Sequence, residues 1–158
     1  MIELPERVKV CELTKEKTDY IWDRVKVFDQ IFPLSTRWNK EEFFKKMYSR
    51  ENVILEIDEG LIFFENFYPE LYTQMQLTFW DKHLSTRIEL IKECIVWIFL
   101  EFNLQRIEIL IPEFARAIRR IFEKKLNFKY EGRLRNRMWY KGQSVDVLIF
   151  SILQQEVK

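Results

Sequence analysis

The stretch Gln76 to Phe102, QLTFWDKHLSTRIELIKECIVWIFLEF, constrains the fold most. Its first part alternates, with Met75, Leu77 and Phe79 on one side and Gln76 and Thr78 on the other, which predicts a strand. Its second part places Ile88, Ile91, Ile95, Ile98 and Phe102 at three-four spacing, the apolar stripe of a helix. Between them lies the polar turn Trp80-Asp81-Lys82-His83-Leu84-Ser85-Thr86. A strand that turns straight into a helix points the unbonded amides of the helix N-terminus at whatever lies over the strand end. This turn is therefore the strongest candidate anion site in the chain.

The rest of the chain fits one compact domain, residues 1–158. Hydrophobic residues make up 47% and aromatic residues 16%, which excludes a disordered chain. No apolar run reaches the length of a membrane span; Ile95–Leu100 ends at Glu101. MIELPERVKV has no signal-peptide pattern, and Cys11 and Cys94 form neither a pair motif nor a metal spacing. A reducing, cytoplasmic setting is expected. With His83 the single histidine, no His-rich metal site is expected. Charge is uneven: residues 1–115 carry 15 basic against 21 acidic side chains, residues 116–141 carry 10 against 2. That basic block could meet phosphate or form a solvated face, and no nucleic-acid motif accompanies it.

In chain order, Arg7–Leu13 reads as a first strand and Glu16–Phe32 as a helix capped by Thr14 and stopped by Pro33. Asn39 caps a second helix, with Glu42 at the capping-box position. Its Phe43, Phe44, Met47 and Tyr48 form a face suited to the core or to a lid over a groove. Asn52–Ile57, Leu61–Phe67 and Tyr72–Trp80 follow as strands, the first two joined through Asp58-Glu59-Gly60. After the long helix come strand Arg106–Ile111, helix Phe114–Leu126 and strands Phe128–Tyr140 and Ser144–Leu153.

The C-terminal third carries a resemblance to a known family. Phe122-Glu123-Lys124-Lys125-Leu126-Asn127-Phe128 is similar to the "EKLGF" helix-to-strand segment of the GNAT acetyltransferases. Glu131-Gly132, Leu134-Arg135, Gly142, Asp146 and Ser151-Ile152-Leu153 resemble the ending of the subgroup that acetylates ribosomal-protein N-termini. The resemblance implies an α/β (α+β) fold: a mixed twisted sheet of about seven strands with four helices, splayed between the fourth and fifth strands. It implies acetyl transfer from acetyl-coenzyme A to a primary amine, borne by a small molecule or a protein N-terminus. Such transfer needs a proton acceptor for the amine, an amide donor for the thioester oxygen, and a proton for the departing thiolate. Leu77–Phe79 would supply the amide. Glu65 and Glu108 are the candidate bases, and Tyr130 is a candidate proton donor. Phe79, Trp80, Lys82, His83, Ser85, Thr86 and Arg87 are the candidate cofactor-binding residues.

The chain departs from the family's pattern at several points. Lys82 to Arg87 contains no glycine where the pyrophosphate loop usually has them. Thr86-Arg87-Ile88-Glu89 has capping-box form, which would put a carboxylate among the amides that a phosphate needs. No Asn stands in Pro112-Glu113-Phe114-Ala115, and Phe122 or Glu123 takes the place of the usual Tyr. An alternative is therefore a catalytically silent protein of this fold that binds a protein partner.

Overall fold

The computed structural model describes residues 2–26, 39–49, 51–80 and 83–157. Seven strands form one sheet: β1 (Lys9–Val10), β2 (Val53–Ile57), β3 (Gly60–Tyr68), β4 (Tyr72–Phe79), β5 (Arg106–Pro112), β6 (Lys129–Tyr140) and β7 (Gln143–Leu153), in the order β1-β2-β3-β4-β5-β7-β6. Among the described residues four α-helices complete it: α1 (Lys15–Val25), α2 (Lys40–Met47), α3 (Ile88–Glu101) and α4 (Arg116–Lys124). All pairings are antiparallel except β4 with β5. The mixed sheet follows from the connections, since tight turns return β2–β3, β3–β4 and β6–β7, whereas α3 carries the chain from β4 to a parallel β5.

Local chemistry sets most of the boundaries. Thr14 caps α1 through Lys17 N at 3.1 Å, and Asn39 and Glu42 close the expected capping box on α2. The expected continuation of α1 to Phe32, and its stop at Pro33, lie outside the described residues. Asn127 adopts φ 60°, the left-handed conformation that lets Phe128 N return to Phe122 O at 2.8 Å and end α4. Lys141 and Gly142 both have positive φ and turn β6 into β7 in two residues. Gly60 is fixed by packing: a Cβ there would stand 2.2 Å from the Phe79 ring. The first strand is shorter than Arg7–Leu13: Lys9 and Val10 pair with the free edge of β2, and Cys11 adds one bond, its amide donating to Ile54 O at 2.8 Å.

The two sheet faces are covered differently. Alternate residues of β2–β5 and β7 (Leu55, Phe64, Met75, Ile107, Phe150 and their neighbours) meet α3 and α4 in the main core. The opposite side chains of β2 and β3 (Ile54, Leu61, Phe63) meet Ile21 and Val25 of α1 and Phe43 and Met47 of α2. The expected α3 stripe holds at Ile91, Ile95 and Ile98, which are buried. Ile88 is only half-buried. Phe102 is 38% exposed, because it caps the helix end and leans on Phe67, ring centroids 5.0 Å apart. Cys94, Trp97 and Phe99 are buried as well, so α3 is wrapped on more than one side.

Candidate functional site

β4 and β5 pair at three positions only, Tyr72↔Arg106, Thr73↔Ile107 and Gln74↔Glu108. Beyond them β5 stays paired with β7 as far as Pro112, and β4 stays paired with β3 as far as Phe79. The two central strands therefore part after Gln74 and Glu108, leaving a gap that opens toward the start of α3. Backbone groups alternate in direction along a strand. Leu71 O accepts from Gln105 N and Arg106 N on the β5 side, whereas Trp80 N donates to Glu59 O on the β3 side, 3.0 Å away. Odd-numbered residues of β4 thus face β5, and the amides of Leu77 and Phe79 point into the gap past the last paired residue.

A polar row crosses the sheet at the apex of this gap. Register places Glu65, Gln74, Glu108, Ser151 and Lys129 side by side on β3, β4, β5, β7 and β6. All lie on the face that α1 and α2 cover only at its β1–β3 end. Gln74 Nε2 donates to Glu108 Oε1 at 2.8 Å and Asn66 Nδ2 to Gln74 Oε1 at 2.7 Å. Arg106 reaches Glu108 Oε2 through Nε (3.2 Å) and Nη2 (3.1 Å), and clasps both oxygens of Glu131. Glu65 is 4% exposed; one carboxylate oxygen accepts from Gln76 Nε2 and the other lies 2.5 Å from Lys46 Nζ of α2. The expected bases Glu65 and Glu108 are thus brought into one row, about 10 Å apart by two strand spacings. Lys46, Gln74, Gln76 and Arg106 complete it and escaped the sequence reading. The available signal was the polar side of the β4 alternation, which is atypical for a central strand.

Arg106 also shifts the titration of Glu131, beside the row. Its guanidinium, aided by the Ser151 hydroxyl, pulls the Glu131 carboxyl down from 4.5 to about 2. A carboxylate whose folded value is depressed adds stability that is present above 4.5 and lost as pH falls from there toward 2. Glu131→Gln is therefore expected to lower stability above pH 4.5 and leave it little changed near pH 2, so that the acid limb between them flattens. The change is modest, since the Glu131 side chain is 41% exposed and water screens the pair. An unaltered acid limb would show that the tie carries no pH-dependent stability.

At the wide end of the gap, Leu84–Arg87 form a 3-10 turn that leads into α3. His83, Ser85 and Thr86 are exposed. Thr86 turns back on the loop, its hydroxyl donating to His83 O at 2.8 Å and its amide at 3.3 Å. Arg87 donates to His83 O (3.0 Å) and Asp58 O (3.1 Å) and lies 4.6 Å from the Phe79 ring centroid. The Thr86–Glu89 capping box does not form. The 3-10 turn delays the α-helix to Ile88, so Arg87 occupies the cap position without a side-chain bond to the helix amides, and Glu89 pairs with Lys92 at 3.0 Å. The first amides of the turn therefore stay clear of the Glu89 carboxylate.

The remaining candidates are dispersed. Phe79 is buried beneath Arg87. Trp80 turns to the α1 side, edge-on to Tyr20 at 6.3 Å, and its Nε1 has no hydrogen-bond partner among the described residues. Lys82 lies outside the described residues. Tyr130 is 52% exposed and packs on Phe150, on the face opposite Glu65 and Glu108. Phe122 is fully buried against Phe128, so its place in the pattern offers no hydroxyl. In the basic block, Arg133 is held by Glu113 and Asp146 and Lys129 by Glu156. Among the described residues no group of three or more His, Cys, Asp or Glu could hold a metal, and no helix is long and apolar enough to cross a membrane.

No family model matches the chain, and no curated protein matches it. Solved structures do. The spermidine N-acetyltransferase from Vibrio cholerae in complex with CoA and spermine aligns with a TM-score of 0.76 at 16% identity, over 97% of this chain and 99% of that one. A chimera of that enzyme with hSSAT aligns with a TM-score of 0.76 at 17% identity, over 96% and 98% of the two chains. A probable acetyltransferase aligns with a TM-score of 0.73 at 15% identity, over 98% and 97%. At these identities the likeness concerns the fold, and the fold is that of the GNAT acetyltransferases.

Proposed function

We propose that the protein transfers an acetyl group from acetyl-coenzyme A to a primary amine. The observation that carries this is the parting of β4 and β5 after Gln74 and Glu108, which leaves the Leu77 and Phe79 amides facing a gap that opens at the start of α3. Bound there, acetyl-coenzyme A would supply an activated acyl group. The Leu77 and Phe79 amides would hold the carbonyl oxygen as charge develops on it. Amides at the start of the 3-10 turn, with His83 beside them, would hold the pyrophosphate in the favourable field at the N-terminal end of α3. Glu65, and Glu108 across the row, would accept the proton that the amine loses. Tyr130 lies on the other face and has no part in this arrangement. The acceptor is an amine-bearing small molecule or a protein N-terminus; polyamine acetylation by the structural neighbours supports the first, and the resemblance of the C-terminal third to the ribosomal-protein subgroup supports the second. Buried, unpaired Cys11 and Cys94 fit a reducing, cytoplasmic setting.

A silent binding protein is the second reading, favoured by one observation: Lys82 to Arg87 contains no glycine, and the Thr86 amide is already turned to His83. Calorimetric titration of acetyl-coenzyme A into the protein separates the two. Acetyl transfer predicts saturable binding with a dissociation constant of about 1 μM to 1 mM, the usual range for enzyme substrates. Absence of binding by a folded protein, toward acetyl- and longer acyl-coenzyme A alike, would establish the silent reading.

A further inference from the structure

Glu65 already has a primary amine of the chain on it. Lys46 Nζ lies 2.5 Å from Glu65 Oε2, with the lysine side chain 30% exposed and the carboxylate 5% exposed. Lys46 stands in the last turn of α2, which Phe43 and Met47 anchor in the core beneath, so its stem is held over β3. The other oxygen of Glu65 accepts from Gln76, the neighbour of Leu77, whose amide faces the gap. From the acetyl-transfer reading above, on which this rests, we propose that Lys46 is an acetylation site of the protein's own, modified within the same chain by acetyl-coenzyme A held between β4 and β5.

The step balances without a further reactant. Glu65 Oε2 takes a proton from the Lys46 ammonium, and the freed lone pair attacks the acetyl carbonyl carbon. The N–C bond forms and the C–S bond breaks. The sulfur leaves with the bonding pair as thiolate and takes the second proton that the nitrogen gives up as the amide forms, giving acetyl-Lys46 and free coenzyme A, and Glu65 releases the first proton to water. Nζ has to cross β4, roughly one to two strand spacings of about 4.8 Å, and advance along it toward Leu77, which pairs with Ile62 three residues from Glu65, by up to about 10 Å. The flexible four-carbon stem of lysine supplies this swing. Acetylation removes the positive charge, ends the ion pair with Glu65, and leaves that carboxylate open to an incoming amine.

Neighbouring lysines of α2 provide the control. Uncatalysed acylation favours exposed amines, and the Lys45 side chain is 73% exposed and that of Lys40 49%. The full chain is incubated with acetyl-coenzyme A, and each lysine's acetyl occupancy is followed by peptide mass mapping. Lys46 is expected to be modified faster than Lys45 by about 10²-fold, the lower end of what a positioned base contributes. Its rate should not depend on protein concentration, and Glu65→Gln should bring it down to the rate of Lys45. Lys46→Arg, which keeps a cation on Glu65, should remove the fast site if Glu65→Gln fails to fold. Lys46 reacting no faster than Lys45, or equally fast in the Glu65→Gln protein, would overturn the proposal. Calorimetry with acetyl-coenzyme A, and transfer assays with spermidine and trialanine, run in parallel. Transfer to either amine with Lys46 unmodified defeats this inference alone. Absence of both binding and transfer would defeat the acetyl-transfer reading and this inference with it.

Discussion

Glu65→Gln is expected to lower the rate of acetyl transfer to an external amine by about 10²–10⁴-fold, the contribution of a positioned proton acceptor. The substitution preserves shape and the ability to accept from Gln76 Nε2, but an amide cannot take the proton that the amine gives up. Glu65 and the gap lie on opposite edges of β4, so the affinity for acetyl-coenzyme A should be unchanged. Lys46 loses its ion-pair partner, yet it is partly exposed and can turn to water, so the variant should fold. The measurement is kcat/KM for the amine beside a calorimetric titration of the cofactor. A rate within a few-fold of the parent would take Glu65 out of the chemistry and leave Glu108, held by Arg106 and Gln74, as the proton acceptor.

Ile95→Ala should cost about 2–5 kcal/mol of folding stability, the range for truncating a large aliphatic side chain in a closed core. Ile95 is 2% exposed in the main core with Met75, Ile107 and Phe122, where α3 lies against β4 and β5. The neighbouring side chains are held by different strands and helices and cannot all collapse into the void. Urea unfolding followed by circular dichroism gives the number. A cost near zero would mean that this side of α3 is not packed as the structure has it. A residual structure that binds acetyl-coenzyme A more weakly would tie the packing of α3 to the placement of its N-terminal turn.

How much of this was legible in the sequence depends on the range over which each feature is decided. Within a few residues, side-chain chemistry suffices. Asn39 with Glu42 closes the capping box, Asn127 takes the left-handed φ, and Ile91, Ile95 and Ile98 face the core because three-four spacing allows nothing else once the helix forms. Thr86 and Glu89 show the limit of that reasoning. They have the spacing of a capping box, but Arg87 is drawn to Asp58 O and the Phe79 ring, and the helix begins one residue later than the pattern suggests. Phe102 likewise had the right spacing for the core, but it falls at the end of α3, where the sheet no longer covers it.

The sequence by itself determined the elements, their order and the resemblance that implied a sheet splayed between its fourth and fifth strands. It also identified Glu65 and Glu108 as carboxylates on central strands. Only the tertiary structure decided that these two share one row with Gln74 and Ser151, that Tyr130 stands on the other face, and that Lys46 reaches Glu65 from a separate helix. The reason is register. A shift of one residue between paired strands moves every side chain to the opposite face, and no local signal in either strand records which alignment wins. That choice is made by the packing of α3 and α4 on one side and α1 and α2 on the other. Contacts between distant parts of the chain therefore place the polar row at the apex of the gap.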